Sequence, residues 1–352
     1  METVFSFGAF SMMRRNLSCS TIAKFFAASL FVSGTASGAF LTSCGGTSTS
    51  PQAQSSPATN TSPAASPSPA ANTENRLRVV ATFLPIYLFT KAVAGDAAQV
   101  DILIQPGTEV HDYQSTPADV KALSETDIVV KNGLGMEEFL DSTIKSAQNP
   151  KLKIIDASQG IKPVGELSQV VSAGKEHSHS HDHAEGNPHV WLDPVLAKEQ
   201  VENIRDGLIA ADPENKAKYE ANAAAYLQQL ADLNKEFEQR LGQFRDRTFI
   251  TFHDAFPYLA QRYNLKQVAV VEIPEDQLSP GDVKETIDAV KQFQAKALFS
   301  EPGVDNKLLD GLSKDLNVKL RSLDSLEAGQ TDPQHYFTAM RANLQTLEEA
   351  FK

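Results

Sequence analysis

The sequence predicts an α/β protein: two βα lobes with parallel sheets, joined by a long connecting helix. Two observations carry that reading. From Leu77 onward, short β-branched runs alternate with amphipathic helical stretches, which is the pattern of βαβ units. Between Asp193 and Phe244 there is no strand signal, and Pro213 opens the stretch PENKAKYEANAAAYLQQLADLNKEFEQRLGQF, rich in Ala, Leu, Gln and Glu and without Gly until Gly242. With 352 residues, 41% hydrophobic and 22% charged, the chain can bury two cores.

Residues 1–43 read as an export signal. Arg14, Arg15 and Lys24 precede an apolar and small-residue run from Phe25 to Leu41, the charge-then-hydrophobe order of such segments. Ser and Gly interrupt that run, whereas a spanning helix needs ~20 predominantly apolar residues, so a cleaved signal is expected rather than a span. The run ends in Leu41-Thr42-Ser43-Cys44-Gly45, which resembles the lipobox of bacterial lipoproteins. That resemblance implies cleavage before Cys44, lipid on Cys44, and an extracytoplasmic protein held at the membrane, periplasmic or on the cell surface. Residues 44–75 are Ser, Thr, Pro, Ala, Asn and Gln with almost nothing to bury, and read as a disordered tether.

The first lobe is expected over 76–212, with strands at 77–83, 99–104, 127–130 and 151–156. The connecting helix is expected over 213–244. At 1.5 Å per residue such a helix runs ~45 Å, longer than one lobe needs. The second lobe then covers 245–352, with strands at 247–252, 267–273, 296–300 and 318–323.

The formal net charge of −12 argues against the basic footprint that nucleic acid or an anionic membrane requires, and a cationic ligand fits the sign better. Both cysteines, Cys19 and Cys44, precede the first folded segment. No disulfide or cysteine-based zinc site is therefore available to the body, and any metal must be held by His and carboxylate. The chain is expected to act as a monomer.

Histidine placement is the most informative feature. His111 follows the run QVDILI, His189 precedes Trp191, and His253 ends RTFITF. Ligands of open α/β sheets bind outside the carboxyl ends of strands, where His111, His253, Glu301 and Asp324 all fall. Four more histidines, His177, His179, His181 and His183, alternate in KEHSHSHDHAEG (175–186), a metal-prone polar loop.

Five segments in order, PGTEVHDYQSTPAD (106–119), NPHVWLDP (187–194), TFHDAFPYLAQRYN (251–264), FSEPG (299–303) and LDSL (323–326), resemble the zinc- and manganese-binding proteins of bacterial ABC importers, the ZnuA-like group. The resemblance covers roughly 77–352. It implies metal ligation by His111, His189 and His253, with Asp324 as the usual fourth group. Glu301, Glu109 and water stay open as alternatives. It also implies delivery of the bound ion to a membrane permease with its cytoplasmic ATPase. Manganese members tend to have a carboxylate where this chain has His253. Three imidazoles suit Zn²⁺, and zinc members often carry a His-rich loop between the first two ligand segments. Three imidazoles of ordinary pKa predict a zinc affinity that changes by about three protons per ion well below pH ~6.5.

Competing readings are a manganese-binding member of the same group, a surface adhesin, and a zinc-dependent hydrolase with Glu301 as its base. H-E-x-x-H and G-x-S-x-G are both absent from the chain, which disfavours the hydrolase.

Overall fold

In a computed structural model, the protein is described over residues 76–164, 169–170, 186–271, 273, 279–303 and 307–352. The expected signal, tether and lipidated Cys44, and the loop histidines His177, His179, His181 and His183, lie outside the described residues. Among the described residues no helix is long and apolar enough to cross a membrane.

The first sheet is built from β1 (Leu77–Ala81), β2 (Ala98–Ile102), β3 (Ile128–Lys131) and β4 (Lys153–Asp156), with α1 (Leu84–Ala94), α2 (Pro117–Ser124) and α3 (Leu140–Ala147) as its crossovers. All pairings are parallel and the spatial order is β2-β1-β3-β4. Such strands are covered on both faces, which is why VVA and IVV read as continuous apolar runs. Thr116 and Asp119 form a reciprocal capping box at the start of α2, with Pro117 next to the cap.

The second sheet contains β6 (Thr248–His253), β7 (Lys266–Val271), β8 (Ala297–Ser300) and β9 (Lys319–Ser322), together with a two-residue edge strand, β5 (Gln169–Val170). It too is parallel, in the order β5-β7-β6-β8-β9. The edge strand comes from the part of the chain that precedes the connecting helices. It is too short to leave a periodic signal in the sequence. Alternation along β6 and β8 sends Phe249 and Phe299 into the main core and Ile250 and Leu298 into a second cluster with Val268, Val270 and Leu309. Helices α6 (Pro257–Arg262), α7 (Pro280–Gln292), α8 (Lys307–Asp315) and α9 (His335–Phe351) complete this half.

Between the halves run α4 (Pro194–Ala211) and α5 (Lys216–Leu241), separated by a 3₁₀ turn at Pro213–Asn215. The 26 residues of α5 extend about 39 Å. Its buried positions, Tyr219, Ala223, Tyr226, Leu230, Leu233, Phe237 and Leu241, recur every three or four residues and form one apolar stripe. That stripe packs on α1, α4 and α9. Tyr226 meets Phe89 of α1 at 6.0 Å between ring centroids and Phe337 of α9 at 4.8 Å. The long helix is thus fastened to both sheets' flanking helices along its length. Burying each of Leu230, Leu233, Phe237 and Leu241 contributes about 1.5–3 kcal/mol.

The order of each sheet reverses direction once, next to β1 in the first and next to β6 in the second. Loops that leave adjacent strands in opposite directions open a crevice there. His253 is the last residue of β6, and Glu301 directly follows β8 beside it.

Candidate metal centre

Three imidazoles and one carboxylate meet in that crevice: His111, His189, His253 and Glu327, whose donor atoms all lie within 4.8 Å of one another. His111 sits in the loop after β2. His189 begins the 3₁₀ turn Val190–Leu192 that leads into α4, and Glu327 lies between β9 and α9. One Glu327 oxygen, Oε1, faces all three Nε2 atoms, at 3.8 Å from His111, 3.7 Å from His189 and 4.0 Å from His253. The Nε2 atoms of His189 and His253 are 3.2 Å apart. A tetrahedral centre with bonds of ~2.0–2.1 Å holds its ligand atoms about 3.3 Å apart, so the group needs little contraction to enclose an ion. His111 Nε2 and Glu327 Oε1 are buried and make no hydrogen bond. Buried polar atoms are normally paired, and a cation between these two would satisfy both.

Neighbouring groups set the orientation and charge of each imidazole. The side-chain oxygen of Asn187 accepts both the backbone N–H of His189 and its Nδ1–H, each at 3.0 Å, which leaves the Nε2 lone pair turned inward. Burial lowers the His189 pKa to about 3, so the ring is neutral and ready to ligate. His253 is different. Burial by itself would lower its pKa, but the Glu301 carboxylate, 2.5 Å from Nδ1, overrides this and raises it to about 9. Burial would raise the Glu327 carboxyl, yet the facing imidazoles hold it well below the usual carboxylate range. The crevice therefore sets an ionised Glu327 opposite an imidazolium at His253.

The segment 187–193 ties the other ligand loops together. Asn187 donates to the backbone carbonyl of Asp254, next to His253, at 2.7 Å. Asn132, at the end of β3, donates to the carbonyl of Pro188 at 3.1 Å. Trp191 meets the His189 ring at 5.0 Å between centroids, tilted by 54°, and donates its indole N–H to the carbonyl of Ser325 at 2.8 Å. Asp193, 2% exposed, caps α4 through the Val195 N–H and receives Arg262 from α6 at 2.8 Å.

The structure brings His111, His189 and His253 together, and among the described residues it is Glu327, rather than Asp324, that lies with them. Asp324 does not reach the cluster. Its Oδ1 accepts the N–H of Leu326 at 2.7 Å, and its backbone is held at both N–H and C=O by Asn343. Asp324 thereby shapes the turn, in which Leu326 has φ of 66°, that swings Glu327 into the site. Glu301 backs His253 from the far ring nitrogen, Nδ1, and is not among the four groups that meet at the centre. Glu109 turns its carboxylate onto the N–H groups of Val110 and His111, at 3.0 and 3.2 Å. Glu327 is the residue that sequence reading missed. It stands one position beyond LDSL, and the available signal was a second acid in the same loop.

The chain has clear relatives. It is 36% identical over 287 residues to the zinc-binding lipoprotein AdcA of Streptococcus pneumoniae, covering 78% of this chain and 56% of that protein, so it spans little more than half the length of that relative. It is 32% identical over 281 residues to the high-affinity zinc uptake system protein ZnuA of Bacillus subtilis, covering 78% of this chain and 88% of that one. The crystal structure of the Zn(II)-bound ZnuA-like domain of S. pneumoniae AdcA superposes with a TM-score of 0.65 at 34% identity, over 79% of this chain and 99% of that domain. Residues 79–350 match the ZnuA family, described as zinc-uptake complex component A, periplasmic, and the chain belongs to that family.

Proposed function

We propose that this protein captures Zn²⁺ outside the cytoplasm and delivers it to an ABC importer, a membrane permease with its cytoplasmic ATPase. The single observation that carries the reading is the convergence of three imidazole nitrogens on one carboxylate oxygen, within 4.0 Å, in a buried crevice. Three nitrogens and one oxygen suit zinc, whereas manganese favours an oxygen-rich set. The zinc-binding names of the relatives agree with this cargo.

The charges explain how the ion is held. On arrival it takes the place of the Nε2 proton of His253, while Nδ1–H stays on Glu301. His189 offers a lone pair that burial keeps unprotonated, and Glu327 is already ionised. The two positive charges of zinc are then met by Glu327 directly and by Glu301 through His253. The bound centre is neutral, which a buried site requires. No reaction is assigned to the protein: it is read as a binding component and not as an enzyme.

Lipid on Cys44 and the tether over 44–75 would hold the body near the permease. His177, His179, His181 and His183 would act as weaker, additional zinc sites. Competition titration of the purified protein against a chelator, with zinc and manganese in parallel, tests the central claim. One tight zinc per chain, resistant to manganese, is expected. Tighter manganese binding, or none of either metal, would overturn it.

A further inference from the structure

The ion must reach a centre whose inner members are closed to solvent. The side chains of His253 and His189 are 0% and 2% exposed, against 6% for His111 and 12% for Glu327. The residual opening thus lies on the His111–Glu327 side. There the two loops touch, the Gly107 N–H donating to the backbone carbonyl of Glu327 at 3.0 Å. His111 also lines a surface cavity of about 420 Å³, together with Asp112, Tyr113, Ser115, Glu138 and Ser142. A second cavity of about 400 Å³, along α2 and α3, shares Ser115 and Ser142 with it. Together they make a trough whose inner part, against His111, is polar and whose outer part, along α2 and α3, is more apolar.

We propose that this trough, between the 111–116 loop and α3, is the passage through which a hydrated divalent cation reaches and leaves His111 and the buried centre behind it. The inference rests on the zinc-binding reading above. The first cavity has room for an ion with its water shell, each water taking on the order of 30 Å³. Hydroxyls of Ser115 and Ser142 can replace those waters, and the exposed carboxylates of Asp112 and Glu138 give the mouth a negative field that draws cations in. His111 is the first imidazole met, and its Nε2 is buried without a hydrogen-bond partner.

Obstructing a passage slows entry and exit equally and leaves the equilibrium unchanged. Ser142 is exposed on α3, away from the four ligands, so Ser142→Trp plugs the trough without touching the site. Stopped-flow mixing of the full chain with Zn²⁺, and chase with excess chelator, should show association and dissociation both slowed by the same factor, with the dissociation constant preserved. Glu138→Lys should lower association alone, on the order of two- to fivefold at low ionic strength, with the effect fading in salt. This second variant carries the test by itself if Ser142→Trp does not fold. Tight one-to-one zinc binding with both rates unchanged in the variants would overturn the passage while leaving the function intact. Absence of tight zinc binding in the parent protein would instead overturn the functional reading and the passage with it.

Discussion

Glu327 and Asp324 stand three positions apart and do different work. Glu327 presents an oxygen to three imidazoles, whereas Asp324 spends its carboxylate on the Leu326 N–H. Glu327→Gln should therefore weaken zinc binding by roughly 100-fold or more, since it removes an ionised ligand from a desolvated site. Asp324→Asn keeps the Oδ1 acceptor and should stay within a few-fold of the parent in the same chelator competition. A larger loss for Asp324→Asn than for Glu327→Gln would reverse the assignment. Proton linkage separates the imidazoles just as clearly. A His253 pKa of about 9 means that the apo ring is protonated at pH 8, and zinc must displace that proton. His189, lowered to about 3, releases none. The sign follows: raising the pH toward about 9 strengthens binding, by about tenfold per unit from His253 alone. Calorimetry at pH 8 in buffers of different ionisation enthalpy should give about one proton released per zinc. Glu301→Gln removes the charge that raises His253 and should bring that number close to zero. The dependence on three ordinary imidazoles expected from sequence is thus replaced by one dominated by a single raised histidine.

At the scale of elements, the turn and cap that join Trp191 to α4 bind the two halves at the site. Asp193 caps α4 and is held by Arg262 of α6, so one buried carboxylate serves a connecting helix and a helix of the second half. Arg262→Ala would leave Asp193 buried beside its cap alone. Losing one partner of a buried pair costs about 3–5 kcal/mol, and the 34% exposure of the Arg262 side chain lets water screen part of that. A loss of roughly 2–3 kcal/mol in urea unfolding is expected. An unchanged midpoint would mean that the α4 cap, without Arg262, suffices for Asp193.

For the molecule as a whole, the proposed zinc site is built from residues of both halves. His111 belongs to the first, His253 and Glu327 to the second, and His189 to the segment that leads into the helices between them. An ion that bridges all of these stabilises the assembled state by mass action, by about 4 kcal/mol at a thousandfold excess over the dissociation constant. For a body of this size that is a rise on the order of 10 °C in the melting midpoint. The rise should vanish in His253→Ala, and scanning calorimetry with and without zinc reads it directly. Deleting residues 175–186 should lower the number of zinc ions bound while preserving both the tight site and this rise. Loss of the tight site with the loop would assign capture to the loop histidines instead.

The eight longer strands, the α5 stripe from Tyr219 to Leu241 and the three clustered histidines were legible in the sequence, because each leaves a local trace. Runs such as VVA and FITF reflect strands covered on both faces, and three- or four-residue apolar spacing reflects a helix with one buried side. His253, where manganese members of the resembling group tend to carry a carboxylate, and a set of three imidazoles already favoured zinc among the metals. The fourth group had no such trace. Whether Asp324 or Glu327 faces the centre depends on a left-handed Leu326 and on the Asn343 amide from α9 that holds the turn, contacts formed only when β9 and α9 pack. The charge of each imidazole is likewise decided by tertiary structure. His189 and His253 have the same intrinsic chemistry, and burial with an amide neighbour keeps one neutral while burial against Glu301 keeps the other charged.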